Sequence, residues 1–213
     1  MSDHASLVEP AALGVEAPTR SRRVAPIIVL VVTLVIAAFF WILVRAKNNS
    51  SDTAYSPLIG KPAPAVQATT LDGAAFDLQH RKGSWVVLNF FNATCGPCVQ
   101  EHPELVKFAA DQKALGGSGA ELYSVVWNDL DGGTANFFRT NKVAWPVLID
   151  KDASIAVKFG VAKVPETWII DPNGYVVTRV ISNLTDDELT RYLSIQQAIY
   201  AGASTAGTAT GGS

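Results

Sequence analysis

The chain has 213 residues, enough for one medium domain with an accessory segment and too few for two enzyme-sized domains. It is 48% hydrophobic and 17% charged, which excludes global disorder, and 17 Lys and Arg against 19 Asp and Glu offer no electrostatic footprint for nucleic acid. Two cysteines exclude both a disulfide-rich scaffold and a four-cysteine zinc site.

Residues 1–23 are rich in Ala, Pro, Ser and Glu and read as a short disordered cytoplasmic tail. The 21 residues from Val24 to Val44 carry no formal charge and are dominated by Val, Ile, Leu, Phe and Ala. As a helix they would span about 31 Å at roughly 1.5 Å per residue, the thickness of a bilayer core. Pro26 falls in the first turn, where its missing N–H costs little, and Trp41 lies near the far end, where an aromatic belt sits. The apolar run is longer than that of a signal peptide and no small-x-small cleavage site follows, so the expectation is an uncleaved transmembrane anchor. Arg20, Arg22 and Arg23 precede the span and Arg45 and Lys47 follow it, a bias that puts the N-terminus inside and the rest of the chain outside the cytoplasm.

Residues 45–56 read as a polar linker, 57–200 as a globular domain and 201–213 as a flexible low-complexity tail. Within the domain, Trp85–Phe91, Leu122–Trp127 and Thr167–Ile170 are short runs of β-branched and aromatic residues bounded by turn signals, the pattern of buried strands. Between the first two, Val99, Leu105, Phe108 and Ala109 recur at helical spacing over Pro97–Leu115, with a kink expected at Pro103. Strand, helix, strand predicts a parallel pair. Thr134–Asn141 and Ile155–Phe159 are short helix candidates and Val147–Ile149 a short strand. The dipeptides of D-P-N-G predict a tight turn from Thr167–Ile170 into Tyr175–Ile181, and Asp186–Ile199 closes the domain as an amphipathic helix. The predicted class is α/β, a mixed central sheet flanked by helices with an antiparallel edge hairpin.

The two cysteines, Cys95 and Cys98, stand three residues apart, a spacing that two randomly placed residues would take about one time in a hundred. Cys95 follows a strand and falls at a helix start, where free amides and the macrodipole stabilise a thiolate that can attack disulfides. Cys98, one turn along, is placed to attack the resulting mixed disulfide and release the substrate. The alternatives are a copper-binding module using Cys95, Cys98 and His102, and a peroxidase. His102 alone on a helix is more often an exposed residue, His80 sits in a polar loop and His4 in the tail, so no convincing fourth ligand is present and no metal or other cofactor is expected. The Pro and Thr or Ser that a peroxidatic cysteine needs upstream are replaced by Leu88 and Asn92.

The segment L-N-F-F-N-A-T-C-G-P-C-V-Q-E-H-P-E-L resembles the active site of membrane-tethered thioredoxin-like thiol reductases of the TlpA/ResA/CcmG type, which serve cytochrome c maturation. L-I-G-K-P-A-P, L-D-G, W-P-V-L-I-D and F-G-V-A-K-V-P-E-T-W-I-I-D-P-N-G fall in that family's order, so that the likeness covers most of residues 58–190. It implies a thioredoxin-like fold and protein disulfide substrates, with apocytochrome c haem-site or copper-site cysteines among the options. It also implies a membrane electron carrier that supplies reducing equivalents. By resemblance, Pro165 is the cis-proline beside the dithiol, Val164 offers its backbone to an extended substrate, and Gly96 and Pro97 face the partner. Glu101 matches a carboxylate that handles protons near the thiols, and Glu166 matches a further acidic site residue. Asn89 stands six residues before Cys95, where cytosolic thioredoxins keep a buried aspartate, so another carboxylate must do the proton work. Thr94 departs from the family, in which a tryptophan commonly precedes the first cysteine. Gly96-Pro97 is thioredoxin's own dipeptide and favours a reductase, whereas an oxidising, disulfide-forming enzyme would use the same residues.

Overall fold

The computed structural model describes residues 25–47, 53–129 and 132–209, with side chains at 26–42, 53–129 and 132–203. The expected tail at 1–23, including His4, lies outside the described residues. The chain divides into two compact units, residues 1–50 and 51–213.

In the first unit, helix α1 (Ala25–Lys47) is continuous through the apolar run. Its side chains at 26–42 are all exposed, among them Ile27, Leu34, Phe40 and Trp41. The Thr33 hydroxyl donates to the Val29 carbonyl (2.9 Å), which satisfies that polar group within the helix itself. Among the described residues no helix is long and apolar enough to cross a membrane, the side chains of α1 being described at 26–42 only.

The second unit is a seven-stranded mixed sheet with helices on both faces. Its strands are β1 (Gln67–Thr70), β2 (Ala75–Asp77), β3 (Val86–Phe91), β4 (Glu121–Val126), β5 (Val147–Ile149), β6 (Glu166–Ile170) and β7 (Val176–Val180). They lie in the order β2-β1-β5-β4-β3-β6-β7. β3, β4 and β5 pair in parallel, joined by helices α2 (Gly96–Ala114) and α3 (Gly133–Asn141), whereas β6 and β7 extend the sheet antiparallel from β3. β3 is buried at all six positions, which is why it reads as a continuous apolar run interrupted by a single polar residue, Asn89.

Alternation along the strands sorts the core into two layers. Val87, Phe91, Leu122, Val126 and Ile169 pack with Leu105 and Phe108 of α2, Phe138 of α3, and Leu189 and Leu193 of helix α5 (Asp186–Ala209). Val86, Leu88, Phe90, Val125, Trp168 and Ile170 pack on the opposite face with Ile155 and Phe159 of helix α4 (Ser154–Phe159) and with Val66, Phe76 and Leu78. Removing Leu105 or Phe108 from water contributes about 1.5–3 kcal/mol each.

Carboxylates fix the starts of the short helices. Asp129 accepts from the N–H groups of Thr134 (2.7 Å) and Ala135 (3.0 Å), and Asp150 accepts from those of Ile155 (3.0 Å) and Ala156 (2.9 Å). At the β6–β7 turn, Asp171 Oδ1 accepts from the N–H groups of Asn173 (3.0 Å) and Tyr175 (2.8 Å) while Gly174 takes φ +86°, a conformation open to glycine at no steric cost. Helix α2 runs through Pro103 without ending.

Three boundaries differ from the sequence reading. β1 and β2 form a hairpin around L-D-G that the apolar pattern did not reveal, because both strands are short and β1 is largely polar. The end of the expected linker belongs to the domain: Thr53 bridges Val180, the Ala54 N–H donates to the Arg179 carbonyl (2.9 Å), and Ser56 is buried. The segment from residue 201, read as a flexible tail, begins as helix, since α5 extends to Ala209 with alanine at several of the added positions.

Candidate active site

β3 stops at Phe91, and the turn that follows is held at several points. Asn92 Oδ1 accepts from the Thr94 N–H (2.8 Å) and hydroxyl (2.7 Å), while Asn92 Nδ2 donates to the carbonyls of Trp127 (2.8 Å) and Asn128 (3.2 Å). The Ala93 N–H donates to Thr134 Oγ1 (3.0 Å), tying the turn to α3. The chain thereby delivers Cys95 to the N-cap of α2, in extended conformation (φ -86°, ψ 109°). The Cys98 N–H points at Cys95 Sγ (3.3 Å), so a free helix amide faces the sulfur that carries charge as a thiolate. Cys95 and Cys98 form a disulfide with their Cα atoms 5.3 Å apart. Cys95 is half-buried with Gly96 and Pro97 exposed beside it, whereas Cys98 has no exposed surface.

The loop before β6 closes over the disulfide. The Val164–Pro165 peptide is cis, and the Val164 carbonyl oxygen lies 3.4 Å from Cys95 Sγ. Cys95, Cys98, Val164 and Pro165 are thus one constellation, drawn from the start of α2 and the loop before β6. Thr94 is exposed on its rim.

Glu101 lies one turn after Cys98 on the inward side of α2 and is buried. Its carboxylate accepts from Asn89 Nδ2 on β3 (3.0 Å, at Oε2) and from the Leu184 N–H before α5 (3.0 Å, at Oε1). Burial pushes its pKa from 4.5 up to about 7, and the two hydrogen bonds hold it from going further. Asn89 Nδ2 also donates to Thr167 Oγ1 on β6 (3.0 Å), whereas Asn89 Oδ1 is buried without a hydrogen-bond partner among the described residues. Thr167 and the Leu184 amide were not singled out from sequence; the signal for Thr167 was strand alternation, which sets it opposite Asn89 in the β3–β6 register.

Glu166 does not join this group. It pairs with Phe90, so its side chain lies on the α4 side of the sheet, opposite to Asn89 and Thr167. There it is fully buried and receives Arg179 through Nε (2.9 Å) and Nη2 (3.2 Å), while the guanidinium also donates to the Tyr55 carbonyl (3.1 Å) and lies over the Trp168 ring at 5.1 Å. It is a fully buried carboxylate paired with Arg179.

His102 is buried, contrary to the exposed position expected. Its ring lies among Phe91, Phe137, Phe138 and Trp145, with centroids 4.9–6.2 Å away, and burial lowers its pKa. His80 is exposed in a 3-10 turn, Leu78–Arg81. Among the described residues there is no group of three His, Cys, Asp or Glu side chains that could hold a metal ion.

Residues 59–179 match the AhpC/TSA family. The thiol-disulfide oxidoreductase ResA of Bacillus thuringiensis (strain Al Hakam) is 33% identical over 135 residues, covering 63% of this chain and 76% of that protein. The thiol:disulfide interchange protein HelX of Rhodobacter capsulatus is 31% identical over 148 residues, covering 68% of this chain and 80% of its own length. Among solved structures, a thiol:disulfide interchange protein DsbE from Chlorobium tepidum superposes with a TM-score of 0.56 at 26% identity, over 64% of this chain and 94% of that one.

Proposed function

The chain belongs to the AhpC/TSA family and is a thiol-disulfide oxidoreductase of the ResA, HelX and DsbE type, and we propose that it reduces disulfides in partner proteins outside the cytoplasm. The observation that carries the reaction is the asymmetry of the pair. Cys95 is reachable from solvent and caps α2, while Cys98 is fully buried behind it.

In the reduced enzyme the Cys95 thiolate attacks one sulfur of the substrate disulfide. A bond forms between Cys95 Sγ and that sulfur, the substrate S–S bond breaks, and the second substrate sulfur leaves as a thiolate that takes up a proton. Cys98, on losing its proton, attacks Cys95 Sγ; the mixed disulfide breaks, the first substrate sulfur leaves and is protonated, and the Cys95–Cys98 disulfide remains. Two electrons pass to the substrate, and the enzyme ends in the oxidised state seen here. The Glu101 carboxyl, its pKa pushed up to about 7 by burial, can take the Cys98 proton near neutral pH and return it. The Val164 backbone and the exposed Gly96-Pro97 edge form the surface on which an extended substrate would lie.

Residues 24–44 serve, in this reading, as a single membrane anchor, with residues 1–23 inside and the catalytic domain outside the cytoplasm. The support is the uncharged 21-residue run and the arginine excess before it. A domain so placed is cut off from cytosolic reductants, so a membrane electron carrier must re-reduce it. Apocytochrome c haem-site pairs and copper-site cysteine pairs are the substrates proposed.

The test is a trap. Cys98→Ala should accumulate mixed disulfides through Cys95, and Cys95→Ala should abolish them. Trapping by the Cys95 variant and none by the Cys98 variant would reverse the roles.

A further inference from the structure

On β3, an interior strand of the sheet, Asn89 has no exposed surface and uses only half of its amide. Nδ2 donates to Glu101 and to Thr167, both at 3.0 Å, while Oδ1 accepts from nothing among the described residues. A buried carbonyl oxygen without a donor is unusual enough to require a reason, and the redox state supplies one. In the disulfide neither sulfur carries a proton; reduction gives each sulfur an S–H that can donate. Of the two sulfurs, Cys95 is already engaged by the Cys98 N–H and faces the Val164 carbonyl. Cys98 packs in the same buried layer as Val87 and Phe91, the β3 residues that flank Asn89 on its face, and stands one turn from Glu101, which Asn89 already holds.

We propose that Asn89 is a positioning residue for the resolving cysteine, its Oδ1 accepting the S–H of reduced Cys98 while its Nδ2 keeps Glu101 in place. This rests on the assignment of Cys98 as the resolving thiol. A hydrogen bond to the neutral thiol favours the protonated form, so Cys98 keeps its proton while Cys95 ionises and attacks first. The amide carries no charge and does not itself pass the proton. It holds the thiol and the carboxyl that exchange it on one side chain.

The groups that face this pair are few among the described residues. Helix α2 contributes Glu101 and the buried His102, β3 and β6 contribute the uncharged Asn89 and Thr167, and the segment before α5 contributes the Leu184 amide. Glu104, half-buried further along α2, is turned to Lys107 and the Asp186 N–H. Glu166 and Arg179 are on the other face of the sheet.

The full chain in detergent, labelled with 13C at cysteine Cβ, gives two signals, since it has two cysteines. Asn89→Leu removes the acceptor while keeping the branched shape and the number of side-chain heavy atoms, and should raise the Cys98 acid constant by at least about threefold, with Cys95 little changed. Asn89→Asp restores an acceptor with negative charge and should lower the Cys98 acid constant below that of the wild type. Opposite signs in the two variants are what a merely space-filling residue would not give. An unchanged Cys98 titration in both, or shifts of the same sign, would overturn the proposal. Should either variant fail to fold, the wild type alone decides: the Asn89 13Cγ signal should move downfield on reduction, and an unmoved signal refutes the hydrogen bond. The Cys98→Ala trap tests the role of Cys98 separately, so failure there is distinguishable from failure of the Asn89 contact.

Discussion

Replacing Glu101 by Gln should change the shape of the protein's stability against pH, not merely its height. In the fold the Glu101 carboxyl titrates at about 7, against 4.5 in the unfolded chain, because burial disfavours its charged form. The folded state therefore binds this proton more tightly. The stability it confers is complete below pH 4.5, falls by about 1.4 kcal/mol per pH unit between the two values, and is lost above pH 7, a total of about 3 kcal/mol. Gln cannot titrate, and its single oxygen can meet only one of the two donors, Asn89 Nδ2 or the Leu184 N–H, leaving an amide N–H against the other. That mismatch costs about 1–3 kcal/mol. The variant should thus be the less stable protein at pH 4 and should equal or exceed the wild type at pH 8. Urea unfolding of the oxidised full chain in detergent, followed by tryptophan fluorescence, measures this with both cysteines locked in the disulfide. Asp72, Asp77, Glu104 and Asp152, whose pKa values are lowered by hydrogen bonds, tilt the curve the other way. Their contributions cancel in the difference between wild type and variant. A difference that stays flat from pH 4 to pH 8 would refute the assignment of a neutral-range carboxyl to Glu101.

Two further changes test the frame around the site. Arg179→Met should destabilise by about 3–5 kcal/mol, because it strands the fully buried Glu166 carboxylate, and adding Glu166→Gln should recover most of the loss in a double-mutant comparison of unfolding midpoints. Gly119→Ala should cost about 1–3 kcal/mol or more, since the added methyl would stand 2.0 Å from the Gln112 carbonyl oxygen at the end of α2; a midpoint within error of the wild type would refute the close approach.

The dithiol, its strand and its helix were legible because each leaves a local mark: a continuous apolar run, a C-x-x-C at its end and helical spacing after it. The β6–β7 turn was legible for the same reason, with D-P-N-G supplying both the capping carboxylate and the glycine. What escaped lies in backbone pairing and in facing. Residues 53–56 look like linker because they are polar, yet their order comes from backbone bonds to β7 and from the Arg179 guanidinium on the Tyr55 carbonyl. β1 is four residues long and reads Q-A-T-T, too short and too polar for a period to declare itself. Glu166 and Thr167 are neighbours in sequence and point to opposite faces of β6; family likeness drew attention to the first, while the second is the one that reaches Asn89. His102 was misplaced for a related reason, since the α3 aromatics that enclose it come from a segment more than thirty residues away.

The most direct test of the central claim, that this is a reductase, is the equilibrium reduction potential of the Cys95–Cys98 pair, measured in the full chain in detergent against a glutathione or dithiothreitol buffer. A Gly-Pro dithiol with thioredoxin's character should settle nearer to about -270 mV than to about -120 mV. A value at the oxidising end would contradict the account and make the enzyme one that forms disulfides in its partners.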